Sequence, residues 1–237
     1  MCNADIFIEK YKQLEAIIRS TYHLTTSDSV VYYLEKQNRF RAFKEEISYC
    51  REVRNLLSHR EKIDDDFAVE PSTSMIEFLD KLIEQVKSRT KCRTIAIGIS
   101  NVFWQDINGN VKAAMKTMQQ KLFTHVPILQ DGIVTGVFDE NSIFNYLAKE
   151  EIIDIDDHLT FQDIRPFLSL GNREMEQFIF IEKNCYVDEL EEKIEQAFLK
   201  NKRIGLAFIT ENGKPTQKLQ GIITPWDIIS SKTYQLQ

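Results

Sequence analysis

Through residues 1–90 the apolar positions recur at intervals of three and four, the period of an amphipathic helix. Phe7, Tyr11, Leu14 and Ile18 form one stripe. Ser27 stands where it can cap a second helix running through Leu34. Phe43, Ile47, Cys50, Arg54 and Leu57 fall on the spacing of a third. The run Asp64–Asp66 and then Pro71 break that pattern. Ser74-Met75-Ile76-Glu77 reads as a capping box that opens a fourth helix, with Met75, Leu79, Leu82 and Val86 as its stripe. Four helices with short links predict a small all-α four-helix bundle.

After Lys91 the pattern changes to short β-branched runs alternating with single helices, and it repeats. One unit has a helix carrying Val111, Met115, Met118 and Leu122, then a strand over 126–129, an Asp131-Gly132 turn, a strand over 134–138 and a helix over 141–147. The other has a helix carrying Leu190, Ile194 and Phe198, then a strand over 204–209, a longer turn containing Asn212-Gly213, a strand over 219–223 and a helix from Pro225. Two such units can pack their sheets against each other. The expected architecture is therefore multidomain: an all-α region over 1–90 and two α/β repeats over 91–170 and 171–237.

Composition narrows the function classes. The 237 residues are 43% hydrophobic and 28% charged, an ordinary globular balance. No apolar run is long enough to span a bilayer, and the N-terminus lacks the basic start and long apolar core of a secretory signal. The four cysteines (Cys2, Cys50, Cys92, Cys185) are widely spaced, as expected of thiols in a reducing cytoplasm, and no metal site is expected from their spacing. A net charge of −6 argues against a surface that grips nucleic acid as a whole. A local patch remains, because Lys36–Lys62 holds eight Lys and Arg against four Glu.

The second half resembles two CBS domains, the pair that forms a Bateman module. The resemblance rests on the matching segments 111–138 and 188–229, and above all on GIITPWD at 221–227, which fits the family's closing motif. Thr224 ends a strand and can cap the next helix, with Pro225 at its first position; a helix start suits a phosphate. Asp227 can accept both hydroxyls of a ribose. Gly205, between Ile204 and Leu206, lets a flat base approach the backbone. Thr-x-x-Asp before an apolar helix is also a simple capping motif. The resemblance implies an adenosine nucleotide (AMP, ADP, ATP or a related molecule) as a regulatory ligand, held by Ile204, Gly205, Leu206, Thr224 and Asp227. The first repeat departs from the motif, with Asp139 in place of Thr and Ser142 in place of Asp. A carboxylate there repels a phosphate, so one competent site and one degenerate site are expected. Trp226 is expected to cover a helix end.

The first half raises a different question. On a helical wheel Arg54 falls inside the arc of Phe43, Ile47, Cys50 and Leu57, where a guanidinium is costly unless it is paired, lies in a cleft or snorkels to water. Arg54-Asn55 with His59 five residues after the arginine resembles the R-x-x-x-x-H motif of HEPN domains, small four-helix bundles. Catalytic members of that family are metal-independent RNases whose site forms between two protomers. The resemblance implies Arg54, Asn55 and His59 as a candidate catalytic set, no catalytic cofactor, a homodimer and RNA as a possible substrate. His59 can take a proton, Arg54 can stabilise a pentacoordinate phosphate, and Asn55 can orient them. His59 and Arg60 also suit a helix C-terminus without any chemistry. The expectation is a cytoplasmic nucleotide sensor, outside the membrane, that controls this bundle. The alternative is a sensor whose bundle only dimerises or docks a protein. Lys87–Thr94 is the expected coupling segment.

Overall fold

The computed structural model describes residues 2–25, 30–59, 67, 69–149, 155–171 and 176–233. It divides into two compact units, Met1–Arg89 and Thr90–Gln237.

The first unit is helical: α1 (Asn3–Tyr22), α2 (Val30–Lys36), a 3₁₀ turn (Asn38–Phe43), α3 (Lys44–His59) and α4 (Thr73–Lys87). The stripe of α1 is fully inside, with Phe7, Tyr11, Leu14 and Ile18 at most 2% exposed. They share one core with Leu34 and Phe40, with Ile47, Cys50 and Leu57 of α3, and with Leu79, Leu82 and Val86 of α4. Val53 joins that core, and Phe43 packs against it half-buried. Ser27 and Asp64–Asp66 lie outside the described residues. The cap of α4 differs from the expectation. Ser72, not Ser74, is the N-cap and accepts the Met75 N–H, while the Ser74 hydroxyl is 2.8 Å from that of Ser72. The helix therefore starts before the expected box, and Ile76 and Ile83 join the buried face.

The second unit contains the same wiring twice. In the first repeat β2 (Gln105–Asp106) leads through α6 (Val111–Lys121) to β3 (His125–Gln130), β4 (Ile133–Asp139) and α7 (Glu140–Lys149). In the second, β5 (Glu176–Glu182) leads through α8 (Val187–Leu199) to β6 (Arg203–Thr210), β7 (Gly221–Ile223) and α9 (Pro225–Thr233). β2 is parallel to β3 and β3 antiparallel to β4; β5 is parallel to β6 and β6 antiparallel to β7. The leading strand of each repeat lies outside the expected elements: β2 is two residues long, and β5, despite its apolar run Phe178–Ile181, lacks the turn dipeptide that marks a hairpin. The tight turn after β3 takes the geometry its Asp-Gly pair favours, with φ of 53° at Asp131 and 79° at Gly132.

A further helix, α5 (Cys92–Ile95), and strand β1 (Ile97–Gly98) precede the first repeat. β1 nevertheless pairs antiparallel with β7, giving sheets ordered β1-β7-β6-β5 and β2-β3-β4. Each repeat has its own helix-facing core, around Val126, Ile128 and Phe138 in the first and Ala207, Ile209 and Ile223 in the second. The sheets meet through a shared core of Val102, Leu129, Val134, Val137, Phe178, Leu206, Phe208, Leu219 and Ile222. Successive residues of β6 serve opposite faces, so both faces must be apolar, as its unbroken hydrophobic run reflects. Two stripe positions are corrected. Leu122 ends α6 in the left-handed region (φ 58°) and is 86% exposed, and Phe198 is 75% exposed because Ala197 takes the buried place.

Candidate functional site

A cleft of about 540 Å³ opens where the two repeats meet. Ile204, Gly205 and Leu206 reach it from β6, and Thr224, Pro225 and Trp226 from the start of α9. The first repeat contributes Thr124 and His125 at the start of β3 and Asp139, Glu140 and Asn141 at the start of α7. Phe103 and Phe123, stacked on each other at 5.6 Å, add an aromatic wall.

The position of Gly205 has a steric cause. A Cβ there would lie 2.7 Å from Glu176 Oε1 and 3.0 Å from the ring of Phe178. A side chain there would press on the Glu176 carboxylate and the Phe178 ring, so glycine keeps the backbone of β6 free of a Cβ at the cleft.

The corner before α9 is a closed capping box. Asp227 Oδ2 accepts the Thr224 N–H and the Thr224 hydroxyl, both at 2.7 Å, and the Thr224 oxygen accepts the Asp227 N–H at 3.3 Å. Of the five expected ligand residues, Ile204, Gly205, Leu206 and Thr224 line the cleft; Asp227 is not among the lining residues and stands behind Thr224. The first repeat builds the same corner with the residue types exchanged. Asp139 Oδ1 accepts the Ser142 N–H at 2.7 Å and the Ser142 hydroxyl at 2.8 Å, and Ser142 Oγ accepts the Asp139 N–H at 3.3 Å. Asp139 is 3% exposed and Ser142 1%.

Three polar residues converge that no spacing rule could join. His125 Nε2 is 3.1 Å from Glu176 Oε1, and the donor atoms of His125, Asp139 and Glu176 all lie within 4.8 Å of one another. Arg203, largely exposed, adds a long 3.9 Å contact to the same Glu176 oxygen. His125 and Asp139 are cross-strand partners on β3 and β4, and Glu176 and Arg203 are partners on β5 and β6. Sequence reasoning missed this cluster because Glu176 opens the strand it did not detect. Trp226 is 75% exposed and lines the cleft.

In the helical unit Arg54 has partners within its own chain. Its Nη2 is 3.7 Å from Glu15 Oε1, its guanidinium lies 5.7 Å from the Tyr11 ring, and Nη1 donates to Asn55 Oδ1 at 3.4 Å. Burial, then the charge of Glu15, push the Tyr11 hydroxyl well above its ordinary pKa. Arg51, one turn earlier, lies 3.3 Å from the buried Glu35 carboxylate. An arginine on the core-facing stripe is therefore compensated by α1. His59 closes α3, and its side chain lies outside the described residues.

Two buried thiols, Cys50 and Cys92, are held in the protonated form. Burial, then Glu46, push Cys50 up to about 11. A hydrogen bond with Cys185, then burial, push Cys92 far above a free thiol. Among the described residues no helix is long and apolar enough to cross a membrane.

No family model matches the sequence, and no curated protein matches it. Solved structures similar to the chain include CbpB in complex with c-di-AMP, 17% identical over 62% of this chain and 87% of that one, with a TM-score of 0.47. CBSX2 in complex with AMP is 12% identical over 62% of this chain and 99% of that one (TM-score 0.45). The CBS domain of a bacterial CNNM/CorC family Mg²⁺ transporter in complex with ATP is 13% identical over 61% and 87% (TM-score 0.44).

Proposed function

We propose that Thr90–Gln237 is a tandem CBS pair that binds an adenosine nucleotide and regulates a HEPN-like four-helix bundle in residues 1–90. The observation that carries the nucleotide reading is the pair of identically wired β-α-β-β-α units sharing one cleft, with the bare backbone at Gly205 and the helix start at Thr224 on its wall. An apolar strand and aromatic wall suit a base, and a helix N-terminus with Arg203 nearby suits phosphate. Asp227 reads the ribose on ligand entry by exchanging its bonds to Thr224 for ribose hydroxyls. The test is thermal denaturation of the full chain with AMP, ADP, ATP, S-adenosylmethionine and c-di-AMP in turn. One of them raises the Tm, by about 2.7 kcal/mol of stabilisation at a hundredfold excess over Kd, and Asp227→Ala removes the shift. A flat response to the whole panel would sink the reading.

The bundle is a homodimer in this proposal, in the cytoplasm, and Arg54, Asn55 and His59 form a metal-independent RNase site across its two-fold axis. Cleavage of single-stranded RNA in EDTA, lost in Arg54→Ala and His59→Ala, is the expected outcome. A second reading is favoured by one observation: Glu15 and Tyr11 already engage Arg54 within the chain. On that reading the bundle dimerises or docks a protein, and RNA is left uncut.

A further inference from the structure

We infer that His125, Asp139 and Glu176 form a binding site for a divalent first-row transition metal ion at the first repeat's end of the cleft. The inference does not rest on the nucleotide reading, since it concerns a metal ion alone and its failure leaves Thr224 and Gly205 untouched.

The carboxylates of Asp139 and Glu176 are both more than nine-tenths buried, come from different strands, and place donor atoms within 4.8 Å of each other. Positive charge is favourable beside two carboxylates that close in a poorly hydrated place, and the exposed Arg203, 3.9 Å from Glu176 Oε1, supplies part of it. The His125 imidazole completes the set. Its Nε2 faces the cluster, 3.1 Å from Glu176 Oε1, while Nδ1 is 2.9 Å from the Thr124 hydroxyl. An outer-shell partner on one ring nitrogen with the other turned inward is how metal-ligating histidines are oriented. The 3.1 Å spacing serves a hydrogen bond without an ion. It also fits neighbouring ligands about an ion held at roughly 2.0–2.2 Å by nitrogen and oxygen.

The donor chemistry selects the class. One nitrogen and two carboxylates suit Zn²⁺, Co²⁺ or Mn²⁺ better than Mg²⁺ or Ca²⁺, which favour oxygen alone. Asp139 Oδ1 receives two hydrogen bonds from Ser142. An ion with three protein ligands keeps at least one coordination position for water or an anion. The repulsion Asp139 exerts on a phosphate thereby turns into attraction, and the end of the cleft that departs from the phosphate-binding pattern gains a reason for its carboxylate.

The full chain, stripped of metal with a chelator and desalted, is titrated with Co²⁺ alone. One Co²⁺ binds per chain, with d–d bands, no thiolate charge-transfer band, and displacement by Zn²⁺. Glu176→Gln and His125→Gln each weaken binding by roughly tenfold or more, since losing a ligand costs at least what losing an outer-shell partner does. Asp139→Asn does the same; because it also touches the cap of α7, Glu176→Gln carries the test if that variant fails to fold. Cys92→Ser leaves binding unchanged. Absence of a stoichiometric site, a thiolate band, or unchanged affinity in both Glu176→Gln and His125→Gln overturns the inference.

Discussion

The two repeats of Thr90–Gln237 share strand order, strand direction and a capped helix after the hairpin, yet they exchange residue types at the corner where the cleft opens. The second repeat puts the hydroxyl at the cap and the carboxylate one turn in, so the group on the cleft wall is Thr224. The first repeat reverses this, so the group on the wall is Asp139. The hydrogen bonds that start the helix are nearly the same in both, which is why the fold tolerates either order. What changes is the charge shown to a ligand, from a neutral hydroxyl at Thr224 to a carboxylate at Asp139. Backbone wiring and ligand chemistry are thus set by separate residues in one short motif.

The largest expected effect tests whether the repeats stand or fall together. Phe208 is fully buried in the core between the sheets. Phe208→Ala lowers the unfolding free energy by about 3–5 kcal/mol, and both repeats lose structure in one transition when followed by hydrogen exchange. Separate unfolding of the two repeats would break the comparison at its root.

A smaller effect sharpens the contrast between the corners. Asp139→Ala removes a cap and takes away the 2.7 Å acceptor of the buried Ser142 N–H, while the Ser142 hydroxyl keeps the Val137 carbonyl, and costs about 1–2 kcal/mol; Thr224→Ala, at a half-buried corner, costs about 0.5–1 kcal/mol. Denaturant midpoints measure both. Equal costs would mean that burial of the first corner carries no energetic weight.

The smallest effect concerns a segment described only after the first repeat. Asp163 accepts the Thr160 hydroxyl and N–H, and these bonds hold its carboxyl below the ordinary value. A folded pKa below the unfolded one contributes stability that is present above the unfolded value and is lost as pH falls through the folded one. Thr160→Val therefore flattens, slightly, the acid limb of a Tm-against-pH curve as pH falls through and below the ordinary carboxylate range.

Helical stripes and hairpins were legible because each is announced locally. The α1 stripe of Phe7, Tyr11, Leu14 and Ile18 follows its period, and Asp131-Gly132 marks its turn. Leu122 and Phe198 were misplaced because periodicity does not say where a helix stops or whether a small neighbour such as Ala197 fits better. The β1–β7 pairing was illegible, since nothing in a two-residue strand names a partner from the far end of the unit. Four residues on the cleft wall were readable from one motif and one strand. The cluster of His125, Asp139 and Glu176 was not, because three strand ends bring it together. The compensation of Arg54 by Glu15 was hidden in the same way: the wheel marks the cost on α3, while the relief comes from α1.

That β1–β7 pairing carries a kinetic consequence. Cys92 N–H reaches Cys185 O at 2.8 Å, Val187 N–H reaches Thr90 O at 2.9 Å, and Ile99 N–H reaches Gln220 O at 2.9 Å. A ribosome releases residues 90–99 before the first repeat, but their hydrogen-bonding partners only with the second. The first repeat can zip its own sheet as it leaves the tunnel. The leading segment must wait, its strand edge unpaired, until residues 185–223 have been made. Closing so long a loop is a late and slow event, and until it happens the nascent chain carries an open edge that another strand could occupy.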